Sequence, residues 1–515
     1  MFDLLIRGGS VLDGSGTAPV RADVGVRDGR IAAVDALDGG ALDDTAAGDV
    51  IDATGRYVTP GFVDTHCHAE AALFRPEVQL ALLRQGVTTV LLGQDGLSFA
   101  PASPATVDYV SSYFAAIVGR HPGFGGGSVG ELLATYDNAT AVNAAYLVPH
   151  GTLRYEVLGP ATRAAEPAEL DAMRQLVEAG LADGAVGLSS GLEYAPGRYG
   201  DADELAYLCA PLGDRPYVTH MRGYGTRAAV GMGEASEIVR EARVPLHVSH
   251  YHGPAPDLLA LLDDASAMGC DVTFDSYPYQ RASSILGMVA LPDWLPTADL
   301  AATTAALGDP AVRDRLRAGW SDALWARITL ACVAHPDWAW TEGLTLPEAA
   351  ARAGMDVADF AIELLIADRL QVGCVFERRP PTTDESVRTL LRNGRHTGGS
   401  DAIYLGGHPH PRAYGAFARL LGRHVRELGD WTWPEAVVHL AARPAARFGL
   451  AGRGTLSPGA VADLVVLDPA LVGDRASYES PRELAVGVDD VLVGGVPVLA
   501  GGALTGARPG RGLRG

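Results

Sequence analysis

The chain has 515 residues, 41 basic and 62 acidic, for a formal charge of −21 at pH 7; 48% are hydrophobic and 20% charged. This is a globular composition, long enough for a large barrel with an accessory domain or for two to four ordinary domains, and too acidic to hold nucleic acid through a general basic field. All 41 basic residues are arginine, which excludes a Schiff-base lysine, a phosphate-loop lysine and a carbamylated lysine bridging two metals.

The opening MFDLLIRGGS lacks the basic region, apolar run and cleavage site of a secretory signal. No stretch of about 18 uninterrupted apolar residues follows, so the expectation is a soluble cytoplasmic protein. Within residues 1–58, DLLIRGGSVLDGSG and ADVGVRDGRIAAVDAL alternate apolar and polar positions between Gly-Gly, Asp-Gly and Ser-Gly turns, the pattern of short strands. GTLSPGAVADLVVLDP and DVLVGGVPVLAGGAL, within 454–504, repeat that texture. Two β-rich ends predict one small composite β-sandwich domain from 1–58 plus 448–515.

Residues 59–447 alternate short apolar runs with helix-like segments. The runs are GFVDTHCH, VTTVLLGQDG, AAYLVPH, AVGLSSGL, PYVTHMR, VPLHVSHYH, DVTFDSYPY and RHTGGSD, and they suit strands buried on both faces of a parallel sheet. PAELDAMRQLVEAGLADG, between two of them, opens on proline and acids, closes on glycine and reads as a helix. Eight such strands with helices predict an α/β fold, a (β/α)8 TIM barrel. More than a hundred residues separate the last two runs, which predicts an inserted lid with returning helices over 284–394. GRHPGFGGGSVG at 119–130 lacks phosphate-loop spacing and reads as a flexible loop. Five scattered cysteines (Cys67, Cys209, Cys270, Cys332, Cys374), with no CxxC pair, make neither a disulfide framework nor a zinc ribbon.

The chemistry gathers at the C-terminal ends of these runs, where barrel enzymes keep their sites. His66 and His68 end the first, and a spacing of two on a strand puts both imidazoles on one face with Cys67 turned away. Asp95 ends the second, His220 the fifth, His250 the sixth and Asp401 the eighth. Singly these have ordinary explanations: a turn aspartate before glycine, or a core histidine with hydrogen-bond partners. Jointly, four imidazoles and two carboxylates at one end of five strands suit one or two divalent ions, zinc above all.

The motifs around these residues resemble the amidohydrolase superfamily, and within it the D-aminoacylase (N-acyl-D-amino-acid deacylase) group. The resemblance runs nearly end to end and includes VTPGFVDTHCH, QGVTTVLLGQDGLSFAP, GLSSGLEYAPG, THMRGYG, VSHYHG, DSYPYQRASS and GSDAIYLGGHPHPRAYGAFARLLG. It implies a (β/α)8 barrel with a small β domain and one or two zinc ions per chain. His66 and His68 would hold the more exposed ion with Asp401, and His220 and His250 the more buried one. The bridging position, commonly a cysteine of GNCG in the deacylases, falls in GQDG here, so Asp95 becomes the bridge. Asp401 would take the proton of the attacking water and pass it to the leaving nitrogen. The deacylases hold the amino-acid carboxylate with a lysine two residues past the second single histidine, a tyrosine and a serine. The matching positions are His252, Tyr277 and Ser283, while Tyr194 and Arg412 match positions near the pocket.

The implied activity is zinc-dependent hydrolysis of a linear amide, releasing a D-amino acid and a carboxylate from an N-acyl-D-amino acid. Its partner would be a small-molecule substrate, with no nucleic acid or membrane, in a monomer or homo-oligomer. A hydrolase of a cyclic amide or specialised metabolite is the alternative, and a non-catalytic scaffold relative the third reading.

Overall fold

The computed structural model describes residues 1–36, 42 and 47–515; Leu37, the last residue of the second alternating stretch, lies outside them. The eight apolar runs are eight parallel strands. In order they are Phe62–Asp64, Val87–Leu92, the pair Asn143–Tyr146 and Val148–Pro149, Leu188–Gly191, Tyr217–His220, Leu246–Val248, Val272–Ser276 and His396–Gly398. Every residue in these strands is buried, which is why most of their side chains are apolar or small rather than alternating. Neighbours pair in register around the barrel. The ring closes where the Thr65 amide donates to the Gly398 carbonyl at 3.1 Å. Helices such as Pro167–Ala182 connect the strands; its first turn carries a proline and a capping box between Glu166 and Glu169, so local sequence starts it where the pattern predicts.

The expected sandwich takes the form of one continuous nine-stranded sheet drawn from both ends of the chain. Tyr57–Pro60 runs antiparallel to Leu464–Leu467, with Val58 opposite Val466, and this pairing joins the two ends. Alternation then docks the sheet. Leu464 and Val466 enter its own apolar cluster with Ile6, Val24 and Val58, whereas Val465 and Leu467 enter the barrel's cluster with Phe62 and Val87. Fully burying side chains of this size stabilises by about 1.5–3 kcal/mol each, so a charge at Val465 would weaken the docking of the sheet on the barrel.

Between the last two barrel strands lies an insertion with its own sheet, in which Arg281–Ile285 and Ile328–Cys332 flank Gly373–Glu377, all antiparallel. The first strand of this sheet begins at Arg281, which pairs with Glu377. Trp325, Leu346, Phe360, Leu364 and Cys374 give it a separate apolar core. No helix among the described residues is long and apolar enough to cross a membrane.

Candidate metal centre and active site

His66 and His68 lie just past the first strand. The Asp401 amide donates to the His66 carbonyl at 2.8 Å, and Cys67–His68 pairs in parallel with Ala402–Ile403. These bonds lock the HxH stretch to the segment carrying Asp401. Cys67 packs in the apolar core, as alternation requires. His220 is the last residue of the fifth strand. Asp95, His250 and Asp401 sit beyond their strands in turns, with φ of 43°, 34° and 50°, a region costly for residues other than glycine. Tertiary bonds hold them there: the His250 amide donates to Asp275 Oδ1 at 2.8 Å. Gly191 admits the Asp95 turn, since a Cβ there would come within 1.9 Å of the Asp95 carbonyl oxygen.

Four imidazoles converge on the Asp95 carboxylate. His66 Nε2 is 3.4 Å from Oδ1, His250 Nε2 3.3 Å from the same oxygen, His220 Nδ1 3.4 Å from Oδ2 and His68 Nε2 3.7 Å from Oδ2. Asp401 Oδ1 lies 3.4 Å from His68 Nε2 and 3.8 Å from His66 Nε2. Two groups follow, His66, His68, Asp95 and Asp401, and Asp95, His220 and His250, each with donor atoms within 4.8 Å of one another. Burial opposes charge on Asp95, but His250, His66 and His220 outweigh it and hold the carboxyl well below its usual range. Burial likewise opposes charge on His220, yet Asp95 and Glu193 raise it to about 10. Asp95 Oδ1, His66 Nε2 and His220 Nδ1 are buried without hydrogen-bond partners. Nitrogen and oxygen donor atoms facing one another without hydrogen-bond partners fit a divalent cation, which would take the place of the imidazole protons.

The resemblance implies that His66 and His68 hold the more exposed ion; their own rings are the more deeply buried pair, while Asp401, grouped with them, is 6% exposed and lines the cavity. His66 is 0% and His68 2% exposed, against 6% for His220 and 5% for His250. His220 and His250 line the cavity, while His66 and His68 do not. The HxH position is deeper because its ring packs inward: His66 Nδ1 meets Asp275 Oδ2 at 3.4 Å, and the same oxygen meets His247 Nε2 at 3.1 Å. Two orienting carboxylates escaped the sequence reading. They are Asp275 and Glu193, whose Oε2 lies 3.0 Å from His220 Nε2. An acid inside the buried strand Val272–Ser276 was the available signal for the first; nothing distinguished the second.

A cavity of about 240 Å³ opens on the cluster, and Asp95, His220, His250 and Asp401 form one wall of it. Tyr194, His252, Tyr277 and Ser283 line it, as the resemblance implies. Arg412 does not. It is fully buried, with Nη1 2.7 Å from Asp401 Oδ2 and its guanidinium 4.6 Å from the Tyr277 ring centre. His252 is a weak stand-in for a lysine: burial and nearby Arg378 keep it well below the usual imidazole value, and its Nδ1 donates to the His250 carbonyl at 2.7 Å. Tyr194 shares a 2.8 Å hydrogen bond with Ser284. The insertion adds Met288, Val289, Phe376 and Arg378 to the walls, positions that no motif marked.

The comparisons agree with this architecture. The amidohydrolase family matches residues 49–499. A D-aminoacylase of Alcaligenes xylosoxydans xylosoxydans is 36% identical over 99% of this chain and 97% of its own, and an N-acyl-D-glutamate deacylase of the same organism 34% identical over 100% and 96%. The crystal structure of N-acyl-D-glutamate deacylase from Bordetella bronchiseptica, complexed with zinc and a phosphonate inhibitor, superposes with a TM-score of 0.83 at 33% identity over the whole of both chains. A barrel with an added β domain, a cluster of six histidine and aspartate donors at its mouth and similarity along the full length together place the chain in the amidohydrolase family.

Proposed function

We propose that the protein is a zinc-dependent hydrolase that deacylates an N-acyl-D-amino acid to a free D-amino acid and a carboxylate. The convergence of four imidazoles and Asp401 on Asp95 beside a small-molecule cavity carries this reading, and the deacylases matched along the whole chain support the substrate class. His66, His68, Asp95 and Asp401 would hold one ion, and Asp95, His220 and His250 a second, with Asp95 common to both. Nitrogen and carboxylate donors in this number suit zinc. A zinc ion held there supplies a water activated near neutral pH and polarises a carbonyl oxygen.

The protein's own groups do the rest. Arg412 fixes Asp401 Oδ2, which leaves Oδ1 to accept a proton from the attacking water and return it to the amide nitrogen. That transfer is needed because an amine leaves only once protonated. Tyr194, kept protonated by burial and by the Asp95 charge, can donate to the substrate's oxygen. Tyr277 and Ser283 face the amino-acid end, with His252 beside them. Residues 59–447 act as the catalytic barrel, 1–58 plus 448–515 as the docked β domain and 284–394 as the cover of the cavity. All five cysteines are free, which supports a reducing, cytoplasmic setting.

The test is a screen of the zinc-loaded protein on N-acetyl-D-amino acids, N-acetyl-L-amino acids and cyclic imides. Release of free D-amino acid is expected. Ring opening of imides with no deacylation would overturn the proposal in favour of a cyclic-amide hydrolase.

A further inference from the structure

Arg378 follows directly on the inserted strand Gly373–Glu377 and lines the same cavity as Asp95, His220, His250 and Asp401. Its side chain is enclosed, with the residue 8% exposed. A guanidinium stays charged at any working pH, so a buried one ordinarily meets a carboxylate. Among the described residues none lies within ion-pair distance of Arg378. Its Nη2 donates to the Tyr277 hydroxyl, its Nη1 reaches the Gln280 carbonyl at 3.3 Å, and its Nε has no partner. Two neutral oxygens thus serve a group with five N–H donors.

The other charged groups of the cavity are already engaged, except Arg327, whose guanidinium also lacks a carboxylate among the described residues but is open to solvent where Arg378 is enclosed. Tyr277 lies between two guanidiniums, Arg412 at 4.6 Å and Arg378 at 5.4 Å from its ring centre, but Arg412 has Asp401 as its counter-ion. Glu193 faces His220. Arg327 is half-exposed, and its Nη1 donates to the Glu377 carbonyl at 2.9 Å. The Nδ1–H of His252 is committed to the His250 carbonyl, and its ring stacks on Tyr224 at 4.7 Å.

We propose that Arg378 is the carboxylate anchor of this cavity, its free N–H groups and the Tyr277 hydroxyl receiving the α-carboxylate of the N-acyl amino acid. The inference rests on the deacylase reading for its substrate and on the unpaired guanidinium for its residue. A planar fork matches a carboxylate with two parallel hydrogen bonds. Held at a fixed place beside the Asp95 cluster, it selects amides that carry a carboxylate next to the scissile nitrogen.

The experiment compares the zinc-loaded parent, Arg378→Gln, Arg378→Lys and Arg379→Gln, the last an exposed neighbour. N-acetyl-D-leucine is the substrate, since Met288, Val289 and Phe376 offer an apolar wall; N-acetyl-D-leucinamide is the same amide without the carboxylate. Loss of a charge-assisted pair predicts a KM for N-acetyl-D-leucine raised on the order of 30- to 100-fold in Arg378→Gln, with kcat within about threefold. The leucinamide reaction should be unchanged, Arg378→Lys should recover part of the loss, and Arg379→Gln should match the parent. An unchanged KM in Arg378→Gln, or equal losses on both substrates, overturns the anchor while leaving the deacylase reading intact. Calorimetric binding of N-acetyl-D-leucine in the Asp401→Asn background separates the two claims. Binding that Arg378→Gln weakens, with no deacylation by the parent, would sink the activity and keep the anchor; binding indifferent to Arg378 would sink the anchor.

Discussion

Arg412 Nη1 lies 2.7 Å from Asp401 Oδ2, while the other carboxylate oxygen faces His68 Nε2 at 3.4 Å. The two oxygens therefore have separate duties, one tethered to a buried cation and the other turned to the donor cluster. Asp401→Asn keeps the shape and removes the proton acceptor. Its kcat should fall by about 10²–10⁴, with zinc per chain, measured by elemental analysis, largely retained. A rate within tenfold of the parent would remove Asp401 from the role of base.

Glu193 orients His220 through Nε2, and its replacement by glutamine keeps the contact but discards the charge. Carboxylates behind metal-binding imidazoles are worth about 10- to 100-fold in metal affinity or activity. Competition with a chelator should show Glu193→Gln releasing one ion more readily, at the His220 and His250 position. Zinc retention identical to the parent would make Glu193 a bystander.

Removing metal leaves Asp95 facing four imidazoles with no ion to tie them together. Zinc bound only by the folded chain stabilises it by about 2.7 kcal/mol at a free concentration 100 times the dissociation constant. The chelated protein should melt at a lower temperature in calorimetry and recover when zinc returns. A melting temperature indifferent to zinc would count against the centre.

His121 carries an acid-stability cost unrelated to the site. Phe74, Phe99, Phe124 and Tyr136 surround its ring at 5.0 to 6.1 Å, and the Gly123 amide donates to its Nδ1 at 3.2 Å, which requires a lone pair there. Burial lowers its pKa to about 4. Between the ordinary imidazole value near 6.5 and about 4, the unfolded chain binds a proton that the folded chain refuses. Stability therefore falls as pH drops through that window, by on the order of 3 kcal/mol in all. His121→Phe should lose less stability than the parent between pH 6.5 and 4, read from melting temperatures; parallel curves would contradict this.

Cys67 lies between two metal-facing histidines yet packs in the apolar core. Cys67→Ala should leave kcat and zinc content within about twofold of the parent, and lost activity would contradict the strand alternation.

Strands buried on both faces are mostly apolar or small along their length, so all eight barrel strands were legible as runs of letters. The six donors were legible for a related reason: polar side chains at or just past such runs all face one end of a barrel. The helix Pro167–Ala182 was legible because its cap and opening proline are local chemistry. Depth was not legible. Nothing in HCH distinguishes a histidine backed by Asp275 from one that opens on a cavity, and Asp275 lies more than two hundred residues away. Arg412 looked available to substrate until folding set it against Asp401, and Arg378 looked no different from Arg379 until the inserted strand turned one inward and left the other in solvent. Backbone pattern and donor chemistry are properties of neighbouring residues and survive in a linear string. Exposure, ion pairing and the charge a buried group must find are set by which distant segments meet, and these appear only once the chain has closed on itself.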